Sequence, residues 1–505
     1  MSVRSHFRSL HLRERLSGGP FLNRWIQLGA GVAAMLAIAN LQYAWTLFTK
    51  PLSAALHTSL PAIQVAFAAF IVAETWLVPI EGYLVDRLGP RVLMVCGGVL
   101  VGLGWIMSGH ATDVRHLIVW YTLGGVGAGI VYGASVGNAV KWFPDHRGLC
   151  VGLTAGAYGV GTAITVAPIA KMIKSSGYAR AFITWGFIQG LVVVLAALFI
   201  VKPPEGWVPA GWQDKEAKLL AHVHHAHRDV TPFQMVRTGS FWLIYAMLTL
   251  LAFGGLVVTA QLVPIASFYK VDQVSLALGM SAVVLAIEVD RVLNGFTRPF
   301  WGWVSDHIGR ENTMFIAFSL EGLAVFALLH LVGRPVWFVA LSGLCFFAWG
   351  EIFSLFPAIT GDLFGKKWAT TNYGIVYTAK GFASIFAGPV AALASARTGS
   401  WVPVFWAMIA CDLTAAFLAL LWLKPLAERT IARVDRAPAP SADSAALGSA
   451  VLHPAETPGL SAGSVTHARP LDGLSNAIPM APPAGGRGVG EPAKGSDSQP
   501  WQGGL

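Results

Sequence analysis

The chain has 505 residues, of which 55% are apolar and only 12% are charged, and its formal net charge is +9. Charged residues make up about a quarter of ordinary soluble domains, so this composition excludes a typical soluble globular fold and indicates a membrane protein. The positive charge forms no contiguous basic face in the sequence, so no nucleic-acid partner is expected.

Apolar stretches of about 20 residues, the length of a helix that crosses the hydrocarbon core, recur between Trp25 and Leu423. They predict an all-α membrane protein with twelve transmembrane helices, called spans 1 to 12 below, in two six-helix bundles. The predicted first residues of the spans are Trp25, Pro61, Val92, Ile118, Gly148, Ala181, Phe241, Leu276, Thr313, Val336, Asn372 and Val402.

Five regions follow from this pattern. We predict a basic cytosolic amino terminus (1–24), an amino-terminal bundle (25–201), a cytosolic linker (202–240), a carboxy-terminal bundle (241–423) and a disordered cytosolic tail (424–505). Lys and Arg concentrate in the segments that this topology places in the cytosol, which favours a cell (inner) membrane with both termini inside. Four linker histidines, His222, His224, His225 and His227, are interpreted as part of a solvated loop. We expect neither a metal site nor a cofactor.

A glycine- and charge-containing motif follows span 2 and recurs after span 8. The first copy reads Gly82-Tyr-Leu-Val-Asp86-Arg87-Leu-Gly89-Pro-Arg91, and the second reads Gly302-Trp-Val-Ser-Asp306-His-Ile-Gly309-Arg310. Equal displacement of the matching residues indicates two parallel repeats, with a binding site between them near the bilayer midplane. Glycines there would permit close helix approach and a tight turn, and salt bridges would hold one access state closed. The predicted gating residues are Gly82, Asp86, Arg87, Gly89, Arg91, Asp306 and Arg310; a purely structural loop is the alternative.

Of the three cations inside predicted spans, Arg298 in span 8 and Lys380 in span 11 are the two best candidates for a binding site. A cation near the bilayer centre costs about 2.5 to 3.5 kcal/mol on insertion scales, so each needs a partner or a function. At about 1.5 Å per helical residue, both lie roughly 12 Å from the cytosolic side, where one small ligand could touch both. An Arg fork and a Lys point charge together suit a small carboxylate anion. The alternative is that each pairs with an internal carboxylate, such as Glu74, Glu81, Glu321 or Glu351.

Aromatic residues share helix faces with these charges. Tyr373, Tyr377 and Lys380 follow i, i+4, i+7 spacing, and Trp349 and Phe353 follow i, i+4 spacing. Their hydroxyl and indole groups could bind a carboxylate while the rings exclude water. The predicted substrate-binding residues are Arg298, Lys380, Trp349, Tyr377, Tyr43 and Tyr132, of which the last two would close the site from the amino-terminal half. Plain helix packing is the alternative for the aromatic residues.

Span 8 also contains the run Glu288-Val-Asp290-Arg291. Glu288 and Arg291 stand at i, i+3 spacing and are expected to form a structural ion pair, with Asp290 on a different face. Alternatively, Asp290 or Glu74 titrates and couples transport to protons.

The repeated loop motif, the number of spans and the long linker resemble the major facilitator superfamily. Within it, the chain resembles the oxalate/formate antiporter family through Tyr43-Ala-Trp45, Trp142-Phe-Pro-Asp-x-Arg-Gly148, Asn294-Gly-x-x-Arg298-Pro and Tyr377-Thr-Ala-Lys380-Gly. This resemblance implies the major facilitator fold, alternating access, and exchange of small carboxylates such as oxalate and formate. The run that contains Arg291 departs from the family pattern.

We therefore expect a monomeric secondary transporter in the lipid bilayer that exchanges small carboxylate anions. No nucleophile arrangement, metal set or phosphate loop is visible in the sequence, so an enzyme is not expected. A proton-coupled symporter for monocarboxylates such as lactate or pyruvate, with Glu74 or Asp290 as the proton carrier, is the first alternative. An anion-binding membrane sensor that signals through the linker or tail is the second.

Overall fold

The computed structural model describes residues 23–143, 147–204, 207, 209, 229–276, 279–365 and 368–436. These residues are almost entirely helical, and the described ranges contain no β-strand beyond one isolated bridge between Ser275 and Ser281. The basic amino terminus, the linker histidines and the tail from residue 437 lie outside the described residues, so the predictions made for them are not addressed below.

In the amino-terminal half, the helices are α1 Arg24–Tyr43, α2 Trp45–Ala55, α3 Leu60–Trp76, α4 Val78–Leu88, α5 Pro90–Gly109, α6 Val114–Trp142, α7 Arg147–Val160 and α8 Val166–Phe199. Spans 1 and 2 are each divided into two helices, at Ala44 and Leu77. Pro79 lies in the first turn of α4, where its missing N–H has no helical partner to lose. Gly177 interrupts α8 with φ 83° and ψ 162°, a conformation that separates spans 5 and 6.

In the carboxy-terminal half, the helices are α9 Pro232–Met235, α10 Gly239–Phe268, α11 Ala282–Ile308, α12 Arg310–Leu331, α13 Pro335–Trp349, α14 Ile352–Phe364, α15 Ala369–Ile385, α16 Ala391–Thr398, α17 Val402–Leu418 and α18 Lys424–Arg436. The π-helical segments Phe386–Val390 and Ala419–Leu423 join α15 to α16 and α17 to α18.

Two predicted boundaries in this half were wrong. Span 8 begins at Ala282 and not at Leu276, because the preceding chain turns back on itself: Leu276 donates from its backbone to the carbonyl of Met280, and Ala282 donates to that of Val274. The tail was expected from residue 424, but α18 continues the last span as a helix to Arg436.

Among the described residues, nine helical stretches are long and apolar enough to cross a membrane, which confirms the all-α, multi-pass fold. One of the nine, Cys150–Phe199, has 50 residues and contains the break at Gly177, so its length allows two crossings. Leu60–Trp76 is shorter than the others, and Ala282–Ile308 is outside the nine because of its internal charges. Twelve crossings remain a prediction that requires these two helices to cross as well.

The most extensive contacts between the two halves are made by three helix pairs: α2 with α10, α3 with α15, and α7 with α11. At the α7–α11 crossing a Cβ placed on Gly159 would lie 3.1 Å from Cα of Gly295, so these two backbones touch. Such contacts between small residues are the usual way in which membrane helices pack closely. This crossing brings the carbonyl group of Ala155 within hydrogen-bond reach of Arg298.

Candidate functional site

Lys380, on α15, has a fully buried side chain whose three N–H donors all have acceptors. Nζ donates to Oε1 of Gln42 at 2.9 Å, to Oε2 of Glu74 at 3.1 Å and to Oη of Tyr377 at 3.1 Å. Oη of Tyr158 lies 2.7 Å from Oε1 of Glu74 and 3.0 Å from Oε1 of Gln42, so its single proton serves one of them at a time. Because Gln42, Glu74 and Tyr158 belong to the amino-terminal half, this network joins the two halves.

The ion pair between Lys380 and Glu74 matches the alternative in which Lys380 pairs with an internal carboxylate. The two side chains are 0% and 1% exposed. Removing one partner of a buried pair typically destabilises a protein by about 3 to 5 kcal/mol, because the other charge stays buried without compensation. An anion that enters here must compete with Glu74 for the ammonium group.

Arg298, on α11, is also buried and lies beside the same network. Its Nη1 donates to the carbonyl oxygen of Ala155, and its Cζ lies 4.0 Å from the ring centroid of Phe353. Nε and Nη2 have no hydrogen-bond partner, and within the described part of the chain no carboxylate forms an ion pair with this guanidinium. Nζ of Lys380 lies 5.7 Å from the same ring centroid. Cζ of Arg298 and Nζ of Lys380 therefore lie no farther apart than their two distances from the Phe353 centroid added together.

The predicted aromatic residues surround the charges unequally. Tyr132 and Tyr377 stack across the two halves, with ring centroids 6.2 Å apart and an interplanar angle of 15°. Tyr43 packs against Tyr158, with centroids 5.3 Å apart, and its hydroxyl has no hydrogen-bond partner in the described structure. Trp349 packs against Phe353 and Phe346, with ring centroids 5.4 Å and 5.5 Å from its own.

The predicted ion pair between Glu288 and Arg291 is not formed, and among the described residues Arg291 has no ion-pair partner. Instead its Cζ lies 4.3 Å from the ring centroid of Tyr43 and 3.9 Å from that of Phe346. Sequence reasoning missed this residue because a nearby carboxylate was sufficient to explain it. A usable signal was present: Arg291 stands two helical turns before Arg298, and therefore on the same face of α11.

Asp290 is fully buried beside Ser342 of α13, and among the described residues neither carboxylate oxygen forms a hydrogen bond of normal geometry. Its Oδ1 lies 3.9 Å from the position that a Cβ on Gly343 would occupy, so it faces α13. Glu74, the other predicted proton carrier, is instead part of the Lys380 network. The described ranges contain no group of three or more His, Cys, Asp or Glu residues that could hold a metal ion.

The predicted gating residues lie at the end of α4, the start of α5, and the junction of α11 and α12. The side chains of Asp86, Arg87 and Asp306 are outside the described part of the structure. Nε of Arg91 donates to the carbonyl of Ile200 at 3.1 Å, and Nε of Arg310 lies 3.3 Å from Oδ2 of Asp362. Both contacts join elements of the same half.

The glycines of the first motif differ from each other. A Cβ on Gly82 would meet no atom within 4 Å, so the close helix approach expected at Gly82 is absent. Gly89 does form a tight turn, with φ 85° and ψ 153°, and Gly309 repeats it in the second half with φ 87° and ψ 158°.

At the opposite end of the helices, an ion pair joins the halves. Nζ of Lys50, on α2, lies 3.1 Å from Oδ2 of Asp272, in the turn after α10. Burial raises the pKa of Asp272, but hydrogen bonds from Ser267 and Lys50 and the charge of Lys50 outweigh it, so this pKa lies below its ordinary value. The backbone N–H of Val263 donates to Oγ1 of Thr46 at 2.9 Å beside this pair. No sequence pattern pointed to these contacts.

Comparison with known proteins agrees with the resemblance in the motifs. The family described as Major Facilitator Superfamily matches residues 30–289 and 271–480. The oxalate:formate antiporter of Oxalobacter formigenes is 36% identical over 391 residues, which cover 77% of this chain and 89% of that protein. The uncharacterized MFS-type transporter YhjX of Escherichia coli is 28% identical over 370 residues, covering 72% and 86%. Monocarboxylate transporter 12-B of Danio rerio is 23% identical over 359 residues, covering 65% and 72%.

Proposed function

Because the chain belongs to the major facilitator superfamily, we propose that it is a secondary transporter that exchanges small carboxylate anions, oxalate and formate among them, by alternating access. The identity to the oxalate:formate antiporter supports this substrate class, and the 23% identity to a monocarboxylate transporter is a more distant likeness. We further propose that both termini face the cytosol across the cell (inner) membrane, that the protein is a monomer, and that it catalyses no covalent reaction.

One observation carries the proposal: a buried guanidinium and a buried ammonium group flank the Phe353 ring at the junction of the two halves. Arg298 keeps two N–H groups without partners, and a planar carboxylate could accept from both. Lys380 would bind a second oxygen, either beside Glu74 or in its place. Tyr377, already bonded to Lys380, would orient that ammonium group.

Exchange follows from the charge balance of the empty site. Glu74 offsets the charge of Lys380, but no described carboxylate pairs with Arg298. A buried uncompensated charge is costly, because the low dielectric of the interior replaces little of its hydration. The two halves would therefore change between the inward-open and outward-open states readily only when an anion is bound at Arg298. Each anion carried in one direction would then require another to be carried back, which is exchange.

The test is uptake of labelled oxalate by liposomes that contain the purified protein and unlabelled oxalate. Arg298→Lys keeps the charge but removes the fork, and we expect at least a ten-fold loss of exchange, as at other sites where Arg binds a carboxylate through two N–H groups. Arg397→Gln, at an exposed position near the end of α16, is the matched control and should exchange normally. Wild-type exchange by Arg298→Lys would contradict the proposal.

A proton-coupled monocarboxylate symporter is the second candidate, and the contact between Glu74 and Lys380 favours it. Protonation of Glu74 would release Lys380 for a monoanion, which would couple one proton to one substrate. In that case an acid-outside gradient drives lactate uptake into liposomes without internal substrate, and Glu74→Gln abolishes the effect of the gradient. Uptake that requires internal carboxylate and ignores the pH gradient would favour the exchanger.

A further inference from the structure

A third buried cation, Arg291, lies in the central region, and neither the proposed oxalate site nor any ion pair among the described residues accounts for it. The carboxylate of the adjacent Asp290 is close enough to act on its charge but forms no ion pair with it. Arg291 is 1% exposed and stands on α11, on the helix face that carries Arg298. Its guanidinium is enclosed between the rings of Tyr43, from the amino-terminal half, and Phe346, from α13. Nε and Nη1 have no hydrogen-bond partner in the described structure.

This geometry leaves the guanidinium ready for an anion. Both rings contact the guanidinium, and cation–π contacts of this kind compensate only part of the cost of a buried charge. Hydrogen bonds to Arg are made in the guanidinium plane, at the edge, where the partners are missing. A carboxylate at that edge would supply both the hydrogen bonds and the opposite charge.

Further unpartnered polar groups lie along the same path. Asn294 stands between the two arginines, at i+3 from Arg291 and i−4 from Arg298, and both of its side-chain amide atoms lack hydrogen-bond partners in the described chain. The hydroxyl of Tyr43 lies close to this amide, but the two do not form a hydrogen bond of normal geometry. The pair formed by Arg291 and Phe346 repeats that of Arg298 and Phe353 seven residues earlier on both chain segments.

We infer that Arg291, Asn294 and Tyr43 form a second carboxylate subsite, so that the transporter accepts dicarboxylates longer than oxalate. One carboxylate binds at Arg298 and Lys380, and the other binds at Arg291. Seven helical residues separate the two arginine backbones by about 10 Å, a distance that flexible side chains and an acid of four or five carbons, such as succinate or glutarate, can bridge. This inference rests on the proposed function, because it uses the same anion site at one end.

The test compares succinate with oxalate in the purified, full-length protein, by competition with labelled-oxalate exchange and by thermal shift. We expect the wild type to bind both acids. Arg291→Gln should lower the ratio of succinate to oxalate affinity at least ten-fold, and Arg291→Lys, which retains the charge, should recover part of it. Arg298→Gln should weaken both acids together.

A second variant covers the case in which Arg291→Gln fails to fold. Tyr43→Phe keeps the ring over the guanidinium and removes only the hydroxyl, so it should fold and shift the same ratio in the same direction. Oxalate exchange without succinate recognition by the wild type, or an equal loss of both acids in Arg291→Gln and Tyr43→Phe, would overturn the inference while leaving the proposed function intact. Failure of the wild type to exchange any carboxylate would overturn both.

Discussion

Nζ of Lys380 and Oε2 of Glu74 lie 3.1 Å apart, in a buried ion pair that connects α15 of one half to α3 of the other. This ion pair holds the side chain of Lys380, a predicted substrate-binding residue, in place before any anion binds. It also gives Lys380 a role in stability beside its proposed role in binding, and a single substitution cannot separate the two.

We expect Lys380→Ala to reduce oxalate exchange at least ten-fold and to lower the melting temperature, because Glu74 is left buried without its cation, at a cost of about 3 to 5 kcal/mol. The double variant Lys380→Ala with Glu74→Gln removes both charges, so it should recover most of the melting temperature without recovering exchange. Liposome uptake and thermal unfolding measured on the same preparations would separate the two roles. A double variant that exchanges oxalate at the wild-type rate would remove Lys380 from the substrate site.

The ion pair between Lys50 and Asp272 should help to keep its end of the molecule closed. Asp272→Asn is expected to raise the rate at which a thiol reagent modifies Thr46→Cys several-fold, since Thr46 is buried beside this contact. The modification rate of the parent protein without Thr46→Cys is subtracted. Asp113→Asn is the matched control, because Asp113 lies in another interhelical turn and its contacts in the described structure are with Arg115 and His116, in the first turn of its own helix.

The pH dependence of that contact follows from the lowered pKa of Asp272. A carboxylate with a depressed pKa contributes its interaction above its unfolded value, about 3.9, and loses it as the pH falls through the lower folded value. The modification rate of Thr46→Cys in the otherwise native protein should therefore stay constant between about pH 6 and pH 8, after correction for thiol ionisation. An increase in the modification rate as the pH falls towards 6 would show that Asp272 does not hold this end closed.

Gly255, on α10, should position Trp349. A Cβ at this position would come within 3.0 Å of three atoms of the indole, so Gly255→Ala must displace the ring and, through it, Phe353. Overpacking of this kind typically costs about 1 to 3 kcal/mol. We expect exchange to fall several-fold, with a higher KM for oxalate. Gly361→Ala is the control, because a Cβ there meets nothing within 4 Å, and an equal effect of both variants would contradict this reading.

Gly89 and Gly309, the two turn glycines of the repeated motif, should contribute to stability, whereas Gly82 should not. Gly89 and Gly309 have φ values of 85° and 87°, a region that costs residues with a side chain about 1 to 3 kcal/mol. Gly89→Ala and Gly309→Ala should each lower the melting temperature by a few degrees. Gly82→Ala, within the same motif but inside α4 and with free space around its Cα, should leave it unchanged or slightly raised, because Ala favours the helix more than Gly does. Equal melting temperatures for all three variants would refute this.

The sequence predicted the type of fold and the two main charges because both depend on strong, local signals. Long apolar stretches define membrane helices, and a cation inside one stands out against them, as Arg298 and Lys380 do. The breaks at Ala44 and Leu77 were not predicted, although Pro79, in the first turn of α4, is a local signal for the second of them. Arg291 was misassigned for a related reason: i, i+3 spacing to Glu288 describes what is possible along one helix, whereas Tyr43 and Phe346 approach it from two others.

Two ion pairs join the halves among the described residues, and they differ in their access to water. Lys50 is 53% exposed and Asp272 20%, whereas Lys380 and Glu74 are almost completely enclosed. Dissolved ions screen exposed charges over about 10 Å at 0.1 M salt but hardly reach enclosed ones. Raising the ionic strength should therefore weaken the contact between Lys50 and Asp272 and leave that between Lys380 and Glu74 unaltered. Salt is thus a selective probe of the contact between the halves at one face of the transporter.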